Sequence, residues 1–157
     1  MPIAKSLAAY LERNAVPFET RSHTFTPSSA RSAEAAHIPG HHLAKAVVLK
    51  RMDDSFLLVV LPSDYRVHLG RLHQLLGEEV CLAGEAELNT LFPDCFEGAV
   101  PALGAAYGIE TLVDRGLLEQ PEVFIESGDH QTLIRFDGET FGRLFSGTRV
   151  VDAGKHA

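Results

Sequence analysis

The sequence has no apolar run of about 18 residues or more, which excludes a transmembrane helix. Its two cysteines, Cys81 and Cys95, are too few for a disulfide framework. They fit a reducing cytoplasm, where thiols stay free. Positive charge is not in excess either: 14 Lys and Arg stand against 21 Asp and Glu, for a net charge of -7 with histidines neutral. That argues against a broad cationic surface for DNA or nonspecific RNA. A small basic pocket, or contact with one end of an RNA, stays open. The opening MPIAKSLAAYLERN lacks a basic region followed by an apolar block, so it does not read as a secretory signal. No repeat, low-complexity segment or linker is visible. Residues 1–157 therefore read as one domain, long enough to bury a core without a disulfide or metal staple.

What is present alternates between helix and strand patterns. Ile3, Leu7, Tyr10 and Leu11 predict an amphipathic helix ending near Asn14. VPFET follows as a short strand, and SARSAEAAHIPG as a helix stopped by Pro39-Gly40. KAVVLKR and SFLLVVLP flank the polar turn Met52-Asp53-Asp54, a hairpin in the middle of a sheet. SDYRVHLGRLHQLLG places Leu69, Leu72, Leu75 and Leu76 at helical spacing, with Gly77 as its C-cap. EEVCLA, IETLVD, EVFIES, TLIRFD and TRVVDA read as strands, and GEAELNTLF and ETFGRLF as short helices. Between them lies PDCFEGAVPALGAAYG, a loop rich in Gly, Ala and Pro. The order lacks a regular βαβ alternation, which favours an α+β fold.

Few motifs carry chemistry. His37 and His41 are four apart, but Pro39-Gly40 separates them and no glutamate follows His37, so no metal site is expected. Neither cysteine sits in an active-site motif. Cys81, in an apolar strand, reads as a buried thiol, and Cys95 as an exposed one. GAVPALG lacks the Lys-Ser/Thr of a phosphate loop. His130, after Gly128-Asp129, reads as a solvated turn residue. Lys45 is the unusual residue. It opens the apolar run Ala46-Val47-Val48-Leu49, and lysine is rarely buried unless paired or used. From composition alone its stem packs while the ammonium reaches water. Lys50, at the other end, fits that description better.

Taken in order, SAEAA, AKAVVLK, LPSDYRVHLGRLHQLLG, GAVPALG and ESGDHQTLIRF resemble the YbaK family, also called the prolyl-tRNA synthetase associated domain. The similarity runs nearly end to end. It implies a single α+β domain with a curved, barrel-like mixed β-sheet and surrounding helices. It implies a free-standing editing deacylase that hydrolyses the ester joining a wrong amino acid to a tRNA. Members of that family act on tRNA for proline carrying alanine or cysteine, among others. The implied partners are the 3' acceptor end of aminoacyl-tRNA and an aminoacyl-tRNA synthetase, in the cytoplasm, with no cofactor. The resemblance makes Lys45 the functional hallmark, with Gly98, Pro101 and Gly104 lining the pocket and Gly128 and His130 bordering it. Ala102 and Leu103 depart from the family's Pro-Phe/Leu-Gly loop, and Ala46 replaces a polar or β-branched residue, which bears on amino-acid specificity. Ala99, Ala102, Ala105 and Ala106 would narrow the pocket wall. Two other functions fit less of the sequence: a catalytically weak binding module attached to a synthetase, and a hydrolase of small aminoacyl esters.

Overall fold

A computed structural model describes residues 3–26, 29–96, 99–152 and 154–156. In chain order these form α1 (Lys5–Arg13), β1 (Glu19–Ser22), α2 (Ser29–Ala35), β2 (Leu43–Arg51), β3 (Phe56–Pro62) and β4 (Tyr65–Val67). Then come α3 (Leu69–Leu76), β5 (Val80–Leu82), α4 (Glu85–Leu91), β6 (Glu110–Asp114) and α5 (Arg115–Leu118). β7 (Glu122–Glu126), β8 (Thr132–Asp137), α6 (Gly138–Leu144), β9 (Arg149–Val151) and β10 (Gly154–His156) complete the chain. Short 3-10 turns at Gly40–His42 and Gly104–Tyr107 join the larger elements.

The β2–β3 hairpin is the centre of the sheet. Its strands pair from Ala44↔Pro62 to Lys50↔Phe56. Its turn is closed by the Asp53 carboxylate, which accepts the Ser55 N–H at 3.0 Å, while Asp54 takes the left-handed conformation at φ 67°. The eight-stranded mixed sheet runs β1-β8-β7-β2-β3-β6-β9, with β5 pairing the far end of β2. β2–β7, β3–β6 and β6–β9 are parallel. β4 and β10 form a separate antiparallel ribbon.

Alternation along β2 assigns its two faces. Ala44 and Val48 join the largest apolar cluster, with Leu7 and Leu11 of α1, Phe141 of α6, and Val100, Ala102 and Leu103. Leu43, Val47 and Leu49 face the other way, where the apolar surface is split. Leu49, Leu57, Val59, Leu61 and Leu112 pack under Leu72 of α3. Leu43, Phe124 and Leu133 pack under Ala33 of α2 and under Ala36. Lys45, on the same face, stands between these two patches. Burying each large apolar side chain contributes roughly 1.5–3 kcal/mol, so both patches stabilise the sheet while leaving a polar gap between them.

Several elements differ from the sequence expectation. The first strand begins at Glu19 rather than Val16, and all four of its residues are exposed, as befits a sheet edge. SDYRV is not helical throughout: Tyr65–Val67 is a strand that β10 completes. The α5 turn and β10 had no sequence signal. Cys81 is exposed rather than buried, because β5 is three residues long and only Val80 reaches the core under α3.

Gly104 is set by packing. A Cβ there would collide with the Thr111 hydroxyl and lie 2.8 Å from the Ile109 carbonyl oxygen, both backed by β6. Gly104→Ala is therefore expected to lower stability by about 1–3 kcal/mol, read from the urea unfolding midpoint, as overpacking does.

Candidate functional site

Lys45 is half-buried, and its Nζ donates a hydrogen bond to the Tyr65 carbonyl oxygen. That carbonyl opens β4, just after a turn fastened to the start of β2. The Ser63 N–H donates to the Leu43 carbonyl at 2.7 Å, and the Ser63 hydroxyl donates to the Gly40 carbonyl at 2.6 Å. The approach is close enough that a Cβ on Gly40 would sit 3.1 Å from Asp64 Cβ. Burial pushes the Lys45 pKa below the ordinary lysine value; the Asp64 carboxylate opposes that shift and the Arg66 guanidinium adds to it. The result is a positioned cation in a partly dry setting, where a charge acts more strongly than in water.

A second polar group lies on the same face. β2 and β7 run parallel with Leu43↔Phe124 and Ala44↔Ile125 as their paired positions. Leu43 and Phe124 share one apolar cluster, so Lys45 and Glu126, each two residues further on, project to that same side. Glu126 is buried. Its Oε2 accepts from the Ser32 hydroxyl of α2 at 3.1 Å and lies 3.7 Å from His130 Nδ1. The Thr26 hydroxyl is 2.6 Å from that of Ser32. His130, at only 1% exposure, is not the solvated turn residue the sequence suggested. Its ring packs edge-on to Phe25 at 5.6 Å.

The turn that carries His130 is tightly organised. The Asp129 carboxylate accepts the Gln131 and Thr132 N–H groups at 2.9 and 2.8 Å and the Ser127 hydroxyl at 3.1 Å. Gly128 at φ 114° and His130 at φ 60° both take positive φ. At Gly128 a Cβ would also come 3.0 Å from Ala4 Cβ and 3.3 Å from Cys95 Sγ, so glycine is required twice over. The Gly128 carbonyl accepts the Phe96 N–H at 2.7 Å, which docks the chain leading to residue 97 against this turn.

Of the residues anticipated from sequence, Lys45 shares a sheet face with Glu126, His130 lies against Glu126, and Gly128 shapes the turn that carries His130. Gly98 lies outside the described residues. Pro101 and Gly104 are buried, and Gly104 packs on Thr111. Ala99 and Ala102 are likewise fully buried, Ala102 within the large core, whereas Ala105 is exposed; the four alanines do not form one wall. Cys95 is half-buried rather than exposed. Its Sγ lies 3.4 Å from the Tyr107 hydroxyl, which donates to Asp94 at 3.0 Å, and burial pushes the thiol pKa up to about 12. A thiol so protonated is a poor nucleophile. Among the described residues no three His, Cys, Asp or Glu side chains converge as a metal centre. Sequence reading passed over Glu126, Ser32, Asp64 and the exposed pair Phe25 and Phe96. Glu126 did leave a signal: a carboxylate at an inward position of the apolar strand EVFIE.

The sequence profile of the aminoacyl-tRNA editing domain family matches residues 23–144. No curated protein matches the chain significantly. Among solved structures, a hypothetical protein superposes with a TM-score of 0.83 at 21% identity, covering 96% of this chain and 100% of its own. A candidate trans-editing enzyme for prolyl tRNA synthetase gives 0.81 at 22%, covering 99% and 98%. A candidate signal transduction protein from Marinobacter aquaeolei VT8 gives 0.78 at 22%, with 95% of this chain matching 30% of that one. These likenesses support the mixed α+β fold.

The buried setting of Lys45 has a measurable consequence. A lysine whose folded-state pKa is depressed binds its proton less well when folded. It subtracts from stability while charged, and the penalty fades as pH rises through that pKa toward the unfolded value. Lys45→Met is expected to raise the urea midpoint at pH 7, with the gap to wild type narrowing at alkaline pH. A pH-independent loss of stability would contradict this.

Proposed function

We propose, because the chain belongs to the aminoacyl-tRNA editing domain family, that it is a trans-acting hydrolase of mischarged aminoacyl-tRNA. The observation that carries the reading is Lys45: a cation held by a backbone carbonyl in the gap between two apolar patches. Such a position is costly for stability and useful for chemistry.

In ester hydrolysis, water adds to the acyl carbon, and negative charge develops on the carbonyl oxygen. The tetrahedral intermediate then collapses, releasing the amino acid and the ribose hydroxyl of the tRNA. A fixed ammonium aimed at that oxygen stabilises the charged intermediate with little reorganisation. Lys45 serves that role, or grips a phosphate of the 3' end, and is not the nucleophile. A neighbouring hydroxyl of the tRNA relays the proton of the attacking water to the ribose oxygen that leaves. His130 and Gly128 border the bound end. The acidic net charge confines the RNA contact to that end. The substrate we infer is a small amino acid such as alanine or cysteine on tRNA for proline, cleared in the cytoplasm alongside the synthetase that makes the error. A pocket gains only about 1–3 kcal/mol per methylene, which is why a second, smaller sieve is needed.

The net charge of -7 also favours a second reading, hydrolysis of small aminoacyl esters. Salt separates the two: activity on tRNA should fall steeply with ionic strength, whereas a small ester should be nearly indifferent.

The decisive assay is deacylation of alanyl-, cysteinyl- and prolyl-tRNA for proline by wild type and Lys45→Ala. Wild type should clear the small amino acids faster than proline. Lys45→Ala should lose about 100-fold or more in rate while keeping its circular dichroism spectrum. Normal turnover by a folded variant would refute the role of Lys45, and faster removal of proline would refute the size sieve.

A further inference from the structure

Two large aromatic side chains stand in water where apolar groups are normally withdrawn. Phe25 is 57% exposed and Phe96 is 60% exposed. Their ring centroids are 6.2 Å apart and their planes cross at 81°. Phe25 also meets the His130 ring at 5.6 Å and 77°. Neither ring hangs on a loose segment. The Phe96 N–H is bonded to the Gly128 carbonyl at 2.7 Å. The chain around Phe25 is tied to the same turn, with His23 N–H donating to the Gln131 carbonyl at 2.8 Å and Thr26 N–H to the His130 carbonyl at 3.3 Å. A groove of about 600 Å³, lined by Lys5, Asp94, Cys95, Phe96, Gly128 and Asp129, opens beside Phe96.

We propose that Phe25 and Phe96 form a stacking platform for the unpaired terminal base of the RNA whose ester the protein hydrolyses. The inference rests on the reading of the chain as an aminoacyl-tRNA hydrolase. Two rings at near right angles make a corner. A flat heteroaromatic ring lies face-on against one wall and edge-on against the other, both favourable arrangements. An alanine-sized acyl group is too small to use such a corner, whereas a base next to the ester matches it. The chemistry also answers the charge problem. With a net charge of -7, phosphate contacts are confined to the bound end, and stacking is a sequence-tolerant way to add grip on a single-stranded end. Contact between Phe25 and His130 links the platform to the turn beside the reacting ester.

The protein has no tryptophan, so Phe96→Trp creates a single fluorophore in the platform. It is titrated with an uncharged RNA hairpin ending in CCA, and with the same hairpin carrying an abasic terminal residue. The platform predicts quenching by the first and about 10- to 100-fold weaker binding of the second. Phe25→Ala and Phe96→Ala, followed by gel shift, should bind both hairpins alike at the weaker level. With aminoacylated hairpin these two variants should raise KM by a similar factor and leave kcat within about threefold. Equal affinity of Phe96→Trp for the two hairpins overturns the platform, as does undiminished discrimination by both alanine variants. Because the titration uses uncharged RNA, it stands apart from turnover. Full activity of Lys45→Ala would defeat the proposed reaction mechanism, and the fluorescence result would still decide the platform.

Discussion

A charge set into the seam of an apolar sheet face governs the architecture. Lys45 belongs to neither neighbouring patch: α3 covers one, and α2 the other. The ammonium is accommodated by the Tyr65 carbonyl at the start of β4 and by the nearby Asp64 carboxylate. Across β2 and β7, Glu126 and His130 extend the polar seam and fasten it to α2 through Ser32. Among the described residues the opposite face carries one large apolar cluster. There α1, α6 and the 99–103 segment share one core that keeps the sheet rigid beneath the site.

Much of this was legible in the sequence because local signals agreed with the fold. The β2–β3 hairpin follows from an apolar run, a polar turn and a second apolar run. α3 follows from its leucine spacing, and Gly77 closes it in the left-handed conformation its position implied, at φ 71°. Lys45 stood out for the same reason that makes it useful, a charge where period-two patterning asks for an apolar residue. What local signals do not encode is the partner that arrives from far along the chain. His130 looked solvated because turns usually are. It is buried because β7 and the Phe25 segment meet around it. Cys81 looked buried from its apolar neighbours, but its strand is too short to be covered on both faces. Gly104 drew attention as a ligand-facing glycine within a family loop, and its need for glycine comes from Thr111 behind it. Glu126 could be suspected from parity alone, but its contacts with Ser32 and His130 appear only once α2 lies over β7.

The pairing pattern also orders the events by which the site comes into being. β3 is the sequence neighbour of β2, so their hairpin closes a short loop and costs little chain entropy. β7 reaches β2 only after a much longer loop closes, and parallel, long-range pairings of this kind are the slow part of folding. The partners of Lys45, the Tyr65 carbonyl and the Asp64 carboxylate, come from the chain just after the hairpin, whereas Glu126 comes to its face only across the long-range β2–β7 pairing. The cation is thus set by its local chain, and the carboxylate across the seam by a distant pairing.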